Sequence, residues 1–526
     1  MAGGLLNIIS YGTENVILNG NPKKTYFKAV FNKYTNFGMQ KFRLDHDGQR
    51  ILNFNTEVKM VFKVERYADL LSDLFLTINI PDIWSPLQLD NTGVFVETGF
   101  KWVEELGATL IKEVQYSIGG QIISKFSGEF LTCMKERDYS NTKKDLWNKL
   151  TGNLPDFYDP ANGYGKELKV PPGYPSVVYN GTTIPEPSIK GRTLYVPIDG
   201  WFAHCTKTAI PLISLQYNIL EVTITFRPIK ELYTLRDLSG IDLAPNPVVS
   251  LEHIYRYIQP PQDISAVTYD IKKNNWNADI HLWGTYIFLD EAERLLFAKH
   301  EQQYLIRDIY EYEKFNTAGS QVVNFDTRNC VANLMTRFRR SDAYTRNQWN
   351  NYSNWPYNGV LPQQLTQIGL PVPHATNIWL TGAQTTNNVR GILQNLGILC
   401  DGKYREIVLP SGVYDYIEKL YRTPGDAKDG LYIYNFNLNT DRDLYQPCGA
   451  MNMTRFKDVG LEFNTIQPPL DQNAPFTIIC DDEGNEIGIR KNSWVLNLYN
   501  FDMKIIEERY NILTFKAGNA GLMYAR

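Results

Sequence analysis

Apolar and polar residues alternate with a period of two through much of the chain, the pattern of strands with one face buried. In residues 57–67, EVKMVFKVERY, Val58, Met60, Phe62 and Val64 share one face, while Lys59, Lys63 and Glu65 take the other. In 220–232, LEVTITFRPIKEL, Val222, Ile224 and Phe226 alternate with Thr223, Thr225 and Arg227. In 430–440, GLYIYNFNLNT, Tyr432, Tyr434, Phe436 and Leu438 alternate with Ile433, Asn435 and Asn437. Residues 477–492, TIICDDEGNEIGIRKN, read as a hairpin: two apolar runs flank an acidic turn in which Gly484 is free to take positive φ.

Helical spacing is scarce. It is clearest in 289–310, LDEAERLLFAKHEQQYLIRDIY, through Leu289, Ala292, Leu295, Leu296 and Lys299, with Asp290, Glu291 and Glu293 as an acidic first turn. A second, short helix is expected over 139–150. Two tracts rich in Pro, Gly and Asn interrupt the strands, Thr151 to Arg192 and Arg340 to Arg405. Loops of that length inside compact domains usually serve interaction. One tract falls in each half, so the halves share a plan. The stretch from Tyr233 to Pro261, with APNP and QPP, is the natural linker, which puts a boundary near residue 250.

A length of 526 residues allows two or three domains. Composition strengthens the β reading: 33 Tyr, 25 Phe and 10 Trp stand among many Asn, Thr, Gly and Pro, residues that fit pleated sheets and the turns between them. The formal charge of −4 argues against a surface built to neutralise phosphates. The one basic cluster, Arg337, Arg339 and Arg340 beside Asp342, reads as a solvated turn or an interface contact. Six cysteines (Cys133, Cys205, Cys330, Cys400, Cys448 and Cys480) make no CxxC and no close pair, so reduced, buried thiols in a cytosolic setting are expected. The first residues lack a charged segment before their apolar run, and no apolar stretch has the length of a membrane span.

Chemistry is hard to find. The six histidines, His46, His204, His253, His281, His300 and His374, form no HExxH or other metal-ligand spacing, and there is no GxSxG elbow. His281 lies in an expected strand and reads as structural. GYGKEL at 163–168 lacks the full phosphate-loop pattern and sits in a Pro-rich tract. Asp481, Asp482, Glu483 and Glu486 fail the spacing of a calcium loop and read as a solvated hairpin tip. Asn180, Asn351 and Asn452 each head an Asn-x-Ser/Thr triplet and are the candidate glycosylation sites. No catalytic residue, cofactor or metal site emerges.

Seven segments, taken in order, resemble one family. The opening GGLLNIISYGTENVILNGNPKKTYFKAVFNKYTNF (3–37) resembles the start of major capsid proteins of nucleocytoplasmic large DNA viruses. RYADLLSDLFLTINIP (66–81), ELGATLIKEVQYSIGGQIISKFSGEFL (105–131), AIPLISLQYNILEVTITF (209–226) and YIFLDEAERLLFAKHEQQYLI (286–306) are similar to further segments of that family. So are QPCGAMNMTRFKDV (446–459) and the closing NILTFKAGNAGLMYAR (511–526). The departures lie mainly in the two long tracts, and mimivirus-related or phycodnavirus-like members are the most similar.

The resemblance implies an all-β fold of two consecutive eight-stranded jelly-roll sandwiches with short helices and long inserted loops. The expected divisions are an N-terminal arm at 1–25, a first jelly roll at 26–250 and a second at 251–526. It further implies a structural protein and no enzyme. Members form a homotrimer, a pseudo-hexagonal capsomer that tiles an icosahedral shell. The implied partners are neighbouring capsomers, minor capsid proteins and, indirectly, an internal membrane layer, with no direct contact to nucleic acid. The implied place is the virion, assembled in the host cytoplasm. On that plan the two long tracts form an outward tower and the arm lies low, near neighbouring trimers. A carbohydrate-binding β-sandwich protein or a viral receptor-binding protein are the rivals, because aromatic rings stack on sugars.

Overall fold

The computed structural model describes residues 3–84, 87–89, 95–97, 99–158, 176–179, 182–185, 187–236, 242–259, 269, 271–356, 389–442, 446–468, 470, 477–481, 483–490 and 498–524. Sixteen strands, labelled in chain order, make up two sandwiches. The first contains β1 (Phe37–Leu44), β2 (Val58–Val64), β3 (Leu70–Ile80), β4 (Ile111–Ile118), β5 (Gln121–Ser127), β6 (Arg192–Pro197), β7 (Leu220–Phe226) and β8 (His281–Leu289). Its sheets run β1-β8-β3-β6 and β2-β7-β4-β5, all pairs antiparallel. The second contains β9 (Gln302–Thr317), β10 (Ser320–Asn324), β11 (Cys330–Arg340), β12 (Leu393–Cys400), β13 (Lys403–Tyr404), β14 (Leu431–Asn435), β15 (Val459–Thr465) and β16 (Phe501–Lys516). Its sheets run β9-β16-β11-β14 and β10-β15-β12-β13. Adding eight to each label of the first pattern gives the second, so both halves are wound in the same jelly-roll order.

The alternation predicts burial well where one face of a strand meets water. In β2, Met60, Phe62 and Val64 are buried while Lys59 and Lys63 are exposed, and in β7 Val222, Ile224 and Phe226 are buried. Gly119 and Gly120 both take positive φ and make the tight turn from β4 to β5, a conformation that favours glycine at both positions. The expected hairpin forms between Thr477–Cys480 and Glu486–Arg490, with Gly484 at φ 85°.

Four expectations are corrected. The helical pattern of 289–310 yields a helix only over Glu291–Lys299; from Gln302 the chain is strand β9, because Tyr304 and Ile306 face the core at period two. That helix buries none of its residues, so its spacing does not mark an apolar stripe. The strand expected over 430–440 stops at Asn435, and all five residues of β14 are buried because both faces are covered. The described residues of 233–261 do not form a linker: Tyr233–Arg236 pairs with Gly99–Trp102, and Tyr233, Ile254 and Tyr257 are buried in the first core. The division near residue 250 also moves. Strand β8, which that boundary gives to the second half, hydrogen-bonds to β1 and β3 and completes the first sandwich, so the sheets part after Leu289.

The first core does not stop at the sandwich edge. Ile306, Met335, Ile506 and Leu513 of the second half belong to the same continuous apolar cluster as Phe126, Phe130 and Leu131 of the first. A separate cluster, with Phe338, Ile398, Leu461 and Phe501, fills the second sandwich. The sheet β9-β16-β11-β14 is therefore packed on both faces. Of the two long tracts, 159–175 and 357–388 lie outside the described residues, while Ser176–Tyr179 and Thr182–Pro185 pair as a hairpin.

Candidate assembly surfaces

Helix α1 (Gly128–Asp138) starts where β5 ends and lies against the second sandwich. Ser127 caps it: its Oγ accepts from the backbone N of Phe130 at 3.3 Å. Gly128 is required by close approach, since a Cβ there would sit 2.2 Å from the carbonyl oxygens of Ala108 and Ile111. With the helix start set, Glu129 and Arg137 stand eight residues apart, about 12 Å along the axis at 1.5 Å per residue. In the facing sheet, register pairs Arg337 with Lys504 and Asn333 with Glu508. Those rows are four residues apart, about 13 Å along a strand. The two spacings match.

The match places charge on charge. Arg337 donates from Nε and Nη2 to the Glu129 carboxylate at 2.6 and 2.8 Å, and Lys504 Nζ donates to the same carboxylate at 3.2 Å. Arg137 donates to Asn333 Oδ1 and to Glu508 Oε1, each at 2.9 Å. Cys133, midway along the helix, shares its apolar cluster with Met335 and Ile506, midway between the rows. A second cross-link uses Asp199, which accepts from Arg442 Nη1 at 2.5 Å and stands 2.5 Å from His204 Nε2. Lys504 also reaches Glu311 at 2.9 Å, whose Oε1 accepts from Ser127 Oγ at 2.7 Å.

These ions hold their charge. Burial raises the Glu508 carboxyl, but Arg137, Arg442 and Arg307 outweigh it and bring it to about 2. Burial likewise opposes ionisation of Glu129 and Asp199, yet their arginine partners, with Lys504 and His204, hold both well below the usual carboxylate range. The Lys504 ammonium is lowered by burial and raised more strongly by Glu129 and Glu311, so it stays protonated. Burial and the Glu129 charge push the Cys133 thiol up to about 12, which leaves it inert. Such pairs add little net stability over apolar packing, but removing one partner strands a buried charge. The arrangement joins two rolls into one body.

The surface a partner would meet lies elsewhere. Residues 3–36 are exposed except Asn15, which is half-buried, and Ile17, Leu18, Tyr26, Phe27, Val30 and Phe31 stand out from the chain, Phe27 being 98% exposed. A second apolar stripe stands on the helical segment formed by Val413–Ile417 and Glu418–Arg422, where Tyr416, Ile417, Leu420 and Tyr421 point to water. Patches of this kind on a folded chain mark interaction surfaces.

The residues singled out in the sequence distribute as follows. Arg337 and Arg340 are buried in β11 and tie elements together, so the solvated turn is excluded and the interface contact stands, within one chain. His281 is a buried strand residue whose Nδ1 lies 2.6 Å from Asp279 O. Asp481 accepts from the backbone of Glu483 and Asn485 in an exposed hairpin tip. All six cysteines are free; Cys133 and Cys400 are buried and Cys480 is exposed, against the expectation that all are buried. Asn180 and residues 163–168 lie outside the described residues. Asn351 is buried, with Nδ2 donating to Trp355 O at 2.9 Å and no space for a glycan. Asn452 is exposed, its Oδ1 accepting from Thr454 N at 3.1 Å. Among the described residues no His, Cys, Asp or Glu cluster has the arrangement of a metal site. Sequence reasoning missed Glu129, Lys504 and Glu508; the signal was there in 501–516, where Lys504, Glu507, Glu508 and Arg509 stand beside the apolar Met503, Ile505 and Ile506.

Comparison with known proteins agrees with this architecture. The family model for the N-terminus of major capsid proteins matches residues 25–290, ending where the first sandwich ends. "Probable capsid protein 4" of Acanthamoeba polyphaga mimivirus is 22% identical over 528 aligned residues, covering 88% of this chain and 92% of that protein. The major capsid protein of Paramecium bursaria Chlorella virus 1 is 23% identical and is covered, like this chain, over 100% of its length. The solved capsid of that virus, PBCV-1, superposes with a TM-score of 0.62 at 18% identity, covering 95% of this chain and 100% of that one, so the fold is the double jelly roll. With the family model spanning half the chain and relatives aligned along almost all of it, this protein belongs to the major capsid proteins of large DNA viruses.

Proposed function

We propose that three copies of this chain close into a pseudo-hexagonal capsomer that tiles an icosahedral shell, and that the chain catalyses no reaction. The observation that carries this is the repeat: two jelly rolls of identical winding, bonded by buried ion pairs into one rigid block, so that three chains supply six equivalent rolls. The uncovered apolar arm at the N-terminus gives such a block something to exchange with its neighbours. We divide the chain into an arm through residue 25, a first roll through β8 and a second roll from β9, with the helix Glu291–Lys299 as the joint. Neighbouring capsomers and minor capsid proteins are the partners, and the host cytoplasm is the place of assembly.

Light scattering during gel filtration is the test. A mass of three times the 60.5 kDa chain, followed by flat hexagonal arrays or shells on concentration, is the expected result. A folded 60.5 kDa monomer that never assembles would refute the proposal.

A further inference from the structure

We propose that the apolar stripe on the 413–422 segment of one copy packs on the outer face of the β1-β8-β3-β6 sheet of the next copy, repeating between chains the contact that joins the rolls within a chain. This rests on the reading of the protein as a multi-copy capsomer. The contact inside the chain has a definite form. Helix α1 lies between the fifth and sixth strands of the first roll, and it covers the outer face of β9-β16-β11-β14 in the second. The same place in the second roll, between β13 and β14, is held by the 413–422 segment. The sheet equivalent to β9-β16-β11-β14 in the first roll is β1-β8-β3-β6. Each surface used once inside the chain therefore has a counterpart, and on the sheet the end at Leu70 and Ile287 is covered by Phe297 of the helix Glu291–Lys299.

The two counterpart surfaces suit each other. On the segment, Tyr414 and Asp415 turn inward, and Lys419 Nζ is held by Asp415 at 2.5 Å. Tyr416, Ile417, Leu420 and Tyr421 form one stripe on the opposite side, Leu420 at 72% and Tyr421 at 77% exposed. Arg422 pairs with Glu418 at 3.2 Å, so the flanking charges are satisfied within the segment. On the sheet, Trp283 and Phe75 pair directly in register and are half-buried, the Tyr195 ring lies 6.2 Å from Phe75, and Met39 is exposed on the neighbouring edge strand. An apolar stripe thus faces a sheet patch built on Trp283, Phe75 and Tyr195. Because helix and sheet are different patches, the contact is head-to-tail and closes into a ring when its rotation matches that of the internal contact. Six alternating contacts then use three chains.

Two double variants test this: Leu420→Glu with Tyr421→Glu on the segment, and Met39→Glu with Tyr195→Glu on the sheet. All four side chains are exposed, so each variant should melt like the single folded chain, and light scattering should find each at the mass of one chain. Mixed together, the variants retain one intact contact, the segment of the sheet variant on the sheet of the segment variant, and should form a two-chain species. If the wild type is multi-chain and both variants keep its mass, or if the mixture forms no two-chain species, the inference is overturned while the capsomer reading stands. If the wild type is itself a monomer, the capsomer reading fails and takes the inference with it. Should a charged variant not fold, Leu420→Ser and Tyr195→Ser carry the same comparison.

Discussion

Glu508 sits in a strand, wholly out of solvent, with Arg137 from one roll and Arg442 from a distant loop of the other converging on it. Replacing it by Gln removes the charge those arginines balance, and the expected cost is about 3–5 kcal/mol, read as a shift in the urea midpoint at neutral pH. The pH dependence follows from the same ions. Glu508, Glu129 and Asp199 all ionise at lower pH when folded than when unfolded, so their stabilisation is complete above the ordinary carboxylate range. It is lost as pH falls from about 5 toward 2, through the folded value of Glu508. Denaturant midpoints should thus fall over that window, and more shallowly in the Glu508→Gln protein; a midpoint constant down to pH 2 would refute the assignment. None of this was legible from the sequence. Every residue from Val331 to Phe338 is buried because both faces of the sheet are covered, so period two vanishes, and a run of arginines there reads as a solvated face.

The strands that one face exposes, β2 and β7, could be read residue by residue, and so could the hairpin at Thr477–Arg490. Elements covered twice could not. The helix over Glu291–Lys299 was half visible: its acidic first turn is real, but the leucines beyond it sit in water, and the sequence pattern carried the helix into a strand. At α1, one glycine decides the fit. Gly128→Ala forces a Cβ against two carbonyl oxygens, so the helix start must shift and the Glu129 and Arg137 rows no longer coincide with theirs. The expected loss is about 1–3 kcal/mol, the range for overpacking, measured as a lower melting temperature. Cys133, inert in the native helix, should also become reactive to a thiol reagent, which mass spectrometry distinguishes from modification of the exposed Cys480.

Two similar halves were legible from the distribution of strands and long tracts, whereas the joint between them was not, because the Pro-rich stretch near residue 250 resembles a linker while its tyrosines fill a core. The shared cluster predicts how the molecule melts: one calorimetric transition rather than two, since neither roll keeps its packing without the other. Residues 291–526 expressed alone should bind a hydrophobic dye and lack a cooperative melt; an independently folded second roll would contradict this. Deleting residues 1–36, by contrast, should leave the melting temperature unchanged, because no residue of the described segment 3–36 is buried. The strand order has a consequence for synthesis. In each roll the last strand to leave the ribosome, β8 or β16, is the one inserted between two earlier strands, β1 and β3 or β9 and β11. Until it arrives, the sheet is split down its middle, with two open edges that invite wrong partners. A nascent second roll cannot close before residues 501–516 are made, and since its sheet also seals the first core, a prematurely stopped chain is left open throughout. The winding thereby acts as a check on completeness: only a fully translated chain can become a block that fits the shell.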